Sequence, residues 1–349
     1  MELIKQIAPL DSCAMEAALK KWNGIAKPLG SLGLLEKAII QIAGVKKSAD
    51  FTIKKRCVVV MCADNGVVSE GVTQSGSDVT GIVAHAIADG TSNVNLIAKQ
   101  FNADVFPVDI GMNETVDALG LINRKIRRGT CNIADGAAMS VADAEKAISV
   151  GIEAVKKLSE KGYDIIVIGE MGIGNTTTSS AIASVILEMT PESVTGRGAG
   201  LSSEGLERKI KVIRRAIDIN KPQKDKPVEL LAKLGGFDIA GMAGVFIGGA
   251  IYGIPVIIDG FISAVAASIA AGICPAAKDY MLCSHVSKEP AGIKILNHLG
   301  MKPMITAELC LGEGTGGLFL LPMLDGALAV YNSSHTFNNL PMERYVELK

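Results

Sequence analysis

The sequence predicts an α/β protein: a three-layer, doubly wound, mainly parallel sheet (Rossmann-like), with a small helical domain from the chain termini. Three observations carry this. Runs apolar on both faces recur along the chain, amphipathic helical stretches separate them, and each run leads directly into a glycine-rich or polar turn. A run without a polar face fits a strand covered by helices on both sides, and alternation with helices makes the strands parallel.

The segment up to about Gly44 reads as helical; its opening, "MELIKQIAPLDSCAMEAALKKW", spreads acids and lysines through an amphipathic pattern and has no apolar stretch for a signal peptide. Strands leading into turns are expected in "CVVVMCADNG" (57–66), "DVFPVDIGM" (104–112), "DIIVIGEMGIGN" (164–175), "IPVIIDGF" (254–261) and "YMLCSHVS" (280–287). Helices are expected in "VADAEKAISVGIEAVKKLSEKG" (141–162) and "SSEGLERKIKVIRRAIDIN" (202–220), with a solvated loop at 220–227. The uncharged stretch "IAGMAGVFIGGAIYGIPVII" (239–258) is long enough for a bilayer, but its five glycines and Pro255 favour a small-residue helix packed tightly under the sheet, then a buried strand. The division expected is a catalytic domain at 45–320 and a small helical domain from 1–44 plus 321–349.

At 349 residues and 48% hydrophobic content the chain buries a large core. Thirty-five Lys and Arg balance 36 Asp and Glu, no basic block occurs and aromatics are 4%, so no nucleic-acid partner is expected. Seven cysteines without a C-x-x-C pair, beside four histidines, fit reduced thiols of a cytoplasmic protein rather than disulfides or zinc, and no membrane partner is expected.

In doubly wound sheets ligands bind outside the carboxyl ends of the strands, where the unusual motifs of this sequence fall. Three loops carry glycine at every second position: from Gly172 ("GIGNTTT"), from Gly196 ("GRGAG") and from Gly312 ("GEGTGG"). Such loops expose backbone N–H groups to an anion, and a helix starting at "NTTT" strengthens the seat. An anionic or sugar-phosphate ligand is therefore expected, with Arg197 and Lys209 as nearby positive charge; Arg208, Lys211, Arg214 and Arg215 read as a solvated helix face. No Walker loop, nucleophile elbow or H-E-x-x-H occurs, and no two acidic residues are adjacent, so the acidic pair common in phosphoribosyl-pyrophosphate enzymes is missing.

Together "KPLGSLGLLE" (27–36), "CADNGVVSEGV" (62–72), "GTCNIADGAAM" (129–139), "GEMGIGNTTTSSAI" (169–182), "TGRGAGL" (195–201), "GGFDIAGMAG" (235–244), "IIDGFISAVAA" (257–267), "SHVSKEP" (284–290) and "LGEGTGG" (311–317) resemble the nicotinate-nucleotide:dimethylbenzimidazole phosphoribosyltransferase (CobT) family over nearly the whole chain. The resemblance implies transfer of phosphoribose from nicotinate mononucleotide to an aromatic base with inversion at C1′, no cofactor and no metal, and a dimer whose sites receive residues from the neighbour, either a second copy or a paralogue. It implies Glu313 as general base and Glu170 as supporting carboxylate, the latter alternatively a helix-dipole carboxylate. It places Gly172, Gly174, Asn175, Arg197, Gly198, Lys209 and Ser287 around the nucleotide, and Ser75, Val83, Met171 and Leu311 around the base. Asp64, Asp259, His285 and Glu289 match too, or fix loops.

The sequence departs from the family pattern at Asn65, Leu29 and Cys310, and at Gly76, Ile82 and Val83, where an apolar wall stands in place of a polar partner for an imidazole. This leaves a phenol or p-cresol open as acceptor. Two rivals remain: a noncatalytic or weakly catalytic subunit scaffolding an active paralogue, and a dinucleotide oxidoreductase, which would need the G-x-G-x-x-G that "ADNGVVSEG" replaces.

Overall fold

The computed structural model describes residues 7–341 and 343–346; the expected amphipathic start at residues 1–6 and the last residues of the chain lie outside the described part. Six strands, β1 (Arg56–Ala63), β2 (Ala103–Gly111), β3 (Ile122–Asn123), β4 (Ile165–Met171), β5 (Val256–Ile258) and β6 (Met281–Cys283), form one sheet in the order β3-β2-β1-β4-β5-β6. Every pairing is parallel, with Val58 between Val105 and Val167. The order reverses between β1 and β4, so β4 stands at the switch point beside which such sheets take ligands, at their carboxyl ends.

Alternation along the strands splits the core into two layers. Val59, Met61, Ile166, Ile168, Val256 and Ile258 face helices Val141–Glu160, Phe237–Tyr252 and Phe261–Ile273. Val58, Val60, Val167, Ile257 and Leu282 face the opposite way, onto the terminal helices Ser12–Gly24, Leu34–Lys46 and Leu320–Tyr331. Two-sided burial explains why these strands read as unbroken apolar runs. The exception is β3, two exposed residues at the sheet edge in the polar run "LINRK", which the sequence does not mark as a strand.

The uncharged stretch is helix Phe237–Tyr252 followed by β5, as its glycines indicate. A Cβ on Gly244 would stand 2.0 Å from the carbonyl oxygen of Ile148, and one on Gly151 would stand 2.1 Å from that of Gly241. The two helices therefore touch backbone to backbone, which no larger residue permits. No described helix is long and apolar enough to cross a membrane.

The chain ends meet over one face of the sheet. Trp22 packs on Tyr331 with ring centroids 5.0 Å apart, Ala26 N–H donates to the His335 carbonyl at 2.9 Å, and the Tyr331 hydroxyl donates to the Ala49 carbonyl at 2.8 Å. Asp11 caps the first helix by accepting from Ala14 N–H.

Candidate active site

A cleft of about 290 Å3 lies at the carboxyl ends of β4, β5 and β6. A larger groove of about 650 Å3 runs past Glu188 and Lys224, at the far end of helix Asn175–Leu187, where no strand delivers polar residues. Topology selects the cleft as the candidate site.

Each wall follows from a local rule. β4 ends in Glu170 and Met171, turns through Gly172–Gly174, and enters helix Asn175–Leu187 with Gly174 at its N-cap in the left-handed region (φ 96°). The opposite wall is the loop 310–317. There Gly312, Glu313 and Gly314 all have positive φ (89°, 61° and 87°), so Glu313 adopts a conformation L residues rarely take, held between two glycines that take it freely. Asp259, just after β5, accepts from Gly317 N–H at 2.7 Å and ties this loop to the sheet. His285 packs against Gly316, where a Cβ would stand 2.1 Å from the ring.

Glu313 keeps its carboxylate at the cleft, its Oε2 accepting from Val94 N–H at 3.4 Å at the start of helix Asn93–Gln100. Burial pushes its carboxyl above the ordinary range, and that N–H opposes the shift. Glu170 is more deeply buried. Desolvation, reinforced by the carboxylates of Asp238, Asp259 and Glu313, raises its carboxyl well above the ordinary range, against the donation it receives from Asn175 Nδ2. Burial also raises Asp238 to about 6 and Asp259 to about 7, and lowers His285 to about 4. The site thus pairs a deeply buried carboxyl, Glu170, with a less buried one, Glu313, both raised by desolvation, beside an imidazole that burial lowers.

Of the residues expected from the sequence, Glu313, Glu170, Gly172, Asn175, Gly198, Ser287, Val83, Met171 and Leu311 line the cleft. Lys209 stands behind the wall, 1% exposed, its Nζ donating to Thr176 Oγ1 at 2.8 Å beside Gly198; burial lowers it to about 8. Gly174 shapes the turn without lining it. Arg197 is outside the cleft, exposed, bound to the Leu201 carbonyl and Ser203 Oγ. Ser75 is outside too, its carbonyl accepting from Thr73 Oγ1. Asp64 is a loop fixer that accepts from Asn113 N–H at 2.7 Å.

Glu289 lines the cleft and accepts from Gly198 N–H at 3.2 Å. Sequence reasoning gave no role to Phe261, Ile262 or Ser263 in the wall, or to Asp238 behind it. The signal for Asp238 was an acid two residues after a Gly-Gly pair, at the head of an otherwise uncharged helix.

The chain is similar to known proteins over nearly its whole length. A family model described as Phosphoribosyltransferase matches residues 7–340. A nicotinate-nucleotide–dimethylbenzimidazole phosphoribosyltransferase of Ruminiclostridium cellulolyticum is 46% identical over 348 residues, covering 100% of this chain and 99% of the relative. One from Escherichia coli is 42% identical over 333 residues, covering 95% and 93%. The crystal structure of CobT from Thermus thermophilus superposes with a TM-score of 0.89 at 33% identity, covering 95% of this chain and 99% of that one.

Proposed function

The chain belongs to the phosphoribosyltransferase family that includes nicotinate-nucleotide–dimethylbenzimidazole phosphoribosyltransferases, and from that premise we propose how its cleft moves phosphoribose from nicotinate mononucleotide to an aromatic base. The reaction yields the α-ribotide of the lower ligand of cobamides and releases nicotinate. The observation that carries the assignment of roles is Glu313, held at positive φ between glycines at the mouth of the crevice, facing the buried Glu170.

Nicotinate leaves as a neutral ring nitrogen from a pyridinium, so its departure asks for no general acid. Glu313 takes the proton that the incoming base loses on attacking C1′, and its charge favours the oxocarbenium character of the ribose. Glu170, raised by burial, supports the reaction by orienting the ribose. The phosphate seat combines Gly172, Asn175, Thr176, Gly198 and Ser287, with Lys209 as the counter-charge behind Thr176. Gly174 and Arg197 act on this seat through the shape of their loops. Val83, Met171 and Leu311 take the flat face of the acceptor, and Ser75 shapes the loop before helix Asp78–Ala88.

Dimethylbenzimidazole is the acceptor named by the relatives. The apolar wall of Val83, Met171 and Leu311 favours a second reading, in which a phenol or p-cresol, with no second nitrogen to satisfy, is accepted as well. We place the enzyme in the cytoplasm as a dimer, with itself or a paralogue, and treat 45–320 as the catalytic domain and 1–44 plus 321–349 as a helical clasp.

Incubating the purified chain with nicotinate mononucleotide and dimethylbenzimidazole, adenine or phenol in competition tests both points. Stoichiometric nicotinate and α-ribotide are expected. No nicotinate release from the single chain removes the function, and strong preference for dimethylbenzimidazole removes the phenol reading.

A further inference from the structure

Asp238 is fully buried and does not line the cleft; desolvation raises its carboxyl, and the neutral donors Asn175, Ile239 N–H and Asn65 oppose that shift. A carboxylate in that position is costly unless its oxygens are satisfied. One amide ties it to the site. Asn175 Nδ2 donates to Asp238 Oδ2 at 3.0 Å and also to Glu170 Oε2, while Asp238 Oδ1 accepts from Ile239 N–H at 2.9 Å. An amide nitrogen carries two hydrogens, and here both are committed to carboxyl oxygens.

The surroundings leave the carboxyl no freedom. A Cβ on Gly172 would stand 2.6 Å from Asp238 Oδ2, and one on Gly236 would stand 2.2 Å from Oδ1. Backbone therefore closes on both oxygens, and Asn175 must keep its nitrogen turned toward the two carboxyls. The consequence falls on Glu170. One of its oxygens is tied back to the helix, and the other, Oε1, faces the reactive loop, 2.7 Å from the Cβ position of Gly312, the neighbour of Glu313.

We propose that Asp238 is a positioning residue for phosphoribosyl transfer: through the Asn175 amide it fixes the Glu170 carboxyl with one oxygen presented to the ribose beside Glu313. The inference rests on the reading of the cleft given above. An asparagine at 238 cannot accept at both oxygens, so Asp238→Asn loses either the Ile239 N–H or the Asn175 contact.

The test is a double-mutant cycle on the full chain, read as kcat and KM for nicotinate mononucleotide alongside thermal unfolding. Asp238→Asn is expected to lower kcat about tenfold to a hundredfold with KM within about twofold. In a Glu170→Gln background the same substitution is expected to lower kcat no further, because the group it acts through is gone. If Asp238→Asn does not fold, Asn175→Ala replaces it in the same cycle, read on kcat alone because Asn175 also lines the phosphate seat, with the same expectation that it lowers kcat no further in the Glu170→Gln background. Losses that multiply in the double variant, unchanged kcat in Asp238→Asn, or failure of both variants to fold each overturn the proposal in favour of a structural role. A wild-type chain that makes no α-ribotide refutes the function itself, whereas an active wild type with multiplying losses refutes only this inference.

Discussion

The carbonyl oxygen of Glu313 lies 2.4 Å from the point where a Cβ on Gly169 would stand, so the loop that carries the base rests its backbone directly on β4, one residue before Glu170. This contact sets the spacing of the two carboxyl groups. Gly169→Ala drives a methyl into backbone with no flexible side chain to yield, an overpacking that costs about 1–3 kcal/mol. It is expected to lower kcat about a hundredfold through the displaced loop. Urea unfolding and turnover on the same preparation check both, and unchanged turnover would show that the base does not need this seat.

Replacing the base separates binding from chemistry. Glu313→Gln keeps the shape of the side chain and removes its proton affinity, so kcat is expected to fall by about 10²–10⁴ while nucleotide affinity is retained. Single-turnover kinetics with calorimetric binding decide this. Near-normal turnover would remove Glu313 as principal base.

Lys209 gives a pH signature. Burial lowers it to about 8, so its charge is lost as pH climbs past that value. The kcat/KM for nicotinate mononucleotide is expected to decline above about pH 8 in the wild type, and in Lys209→Met to be lower and flat over the same range. A decline that persists in the variant would assign the ionisation elsewhere.

Asp259 makes the opposite kind of prediction, about stability. Its folded-state value, about 7, is raised from an ordinary 3.8 by desolvation, against the N–H groups of Gly317, Gly314, Gly316 and Gly260. The folded state therefore binds the proton more tightly, and the stability this carboxyl contributes is greatest below pH 3.8 and lost as pH rises through about 7. The advantage of wild type over Asp259→Asn is expected to shrink between about pH 4 and about pH 7 in urea unfolding. An advantage that grows with pH would mean that the loop N–H groups outweigh desolvation.

Cys310 is an exposed thiol on the cleft wall, whereas burial raises the thiols of Cys57, Cys62 and Cys283 and keeps them unreactive. Iodoacetamide is expected to inactivate the enzyme, nicotinate mononucleotide to protect it, and Cys310→Ser to resist. Inactivation of Cys310→Ser at the wild-type rate would place the sensitive thiol at Cys13 or Cys131, also exposed.

The strands of the central sheet were legible because two-sided burial writes them as apolar runs, and the helix Phe237–Tyr252 because its glycines announce close packing. The edge strand β3 was not, since an exposed strand needs no apolar residues and takes its identity from its neighbour alone. The site was legible as motifs at strand ends. Arg197 illustrates what motifs leave out: its charge suggests a phosphate ligand, yet its guanidinium is turned onto its own loop. Asp238 illustrates the converse, an acid that reads as a helix-start residue until folding places it within reach of Asn175.

By itself, the sequence determined the fold class, the crevice at the strand ends and the family, because each is written in local periodicity and in motifs that survive without knowledge of distance. Only the tertiary structure decided how deeply each carboxyl group is buried and in which direction its surroundings push its acidity. Those properties depend on burial and on contacts between residues far apart in the chain, such as Glu313 with Val94 and Asn175 with Asp238, and a one-dimensional pattern does not record them.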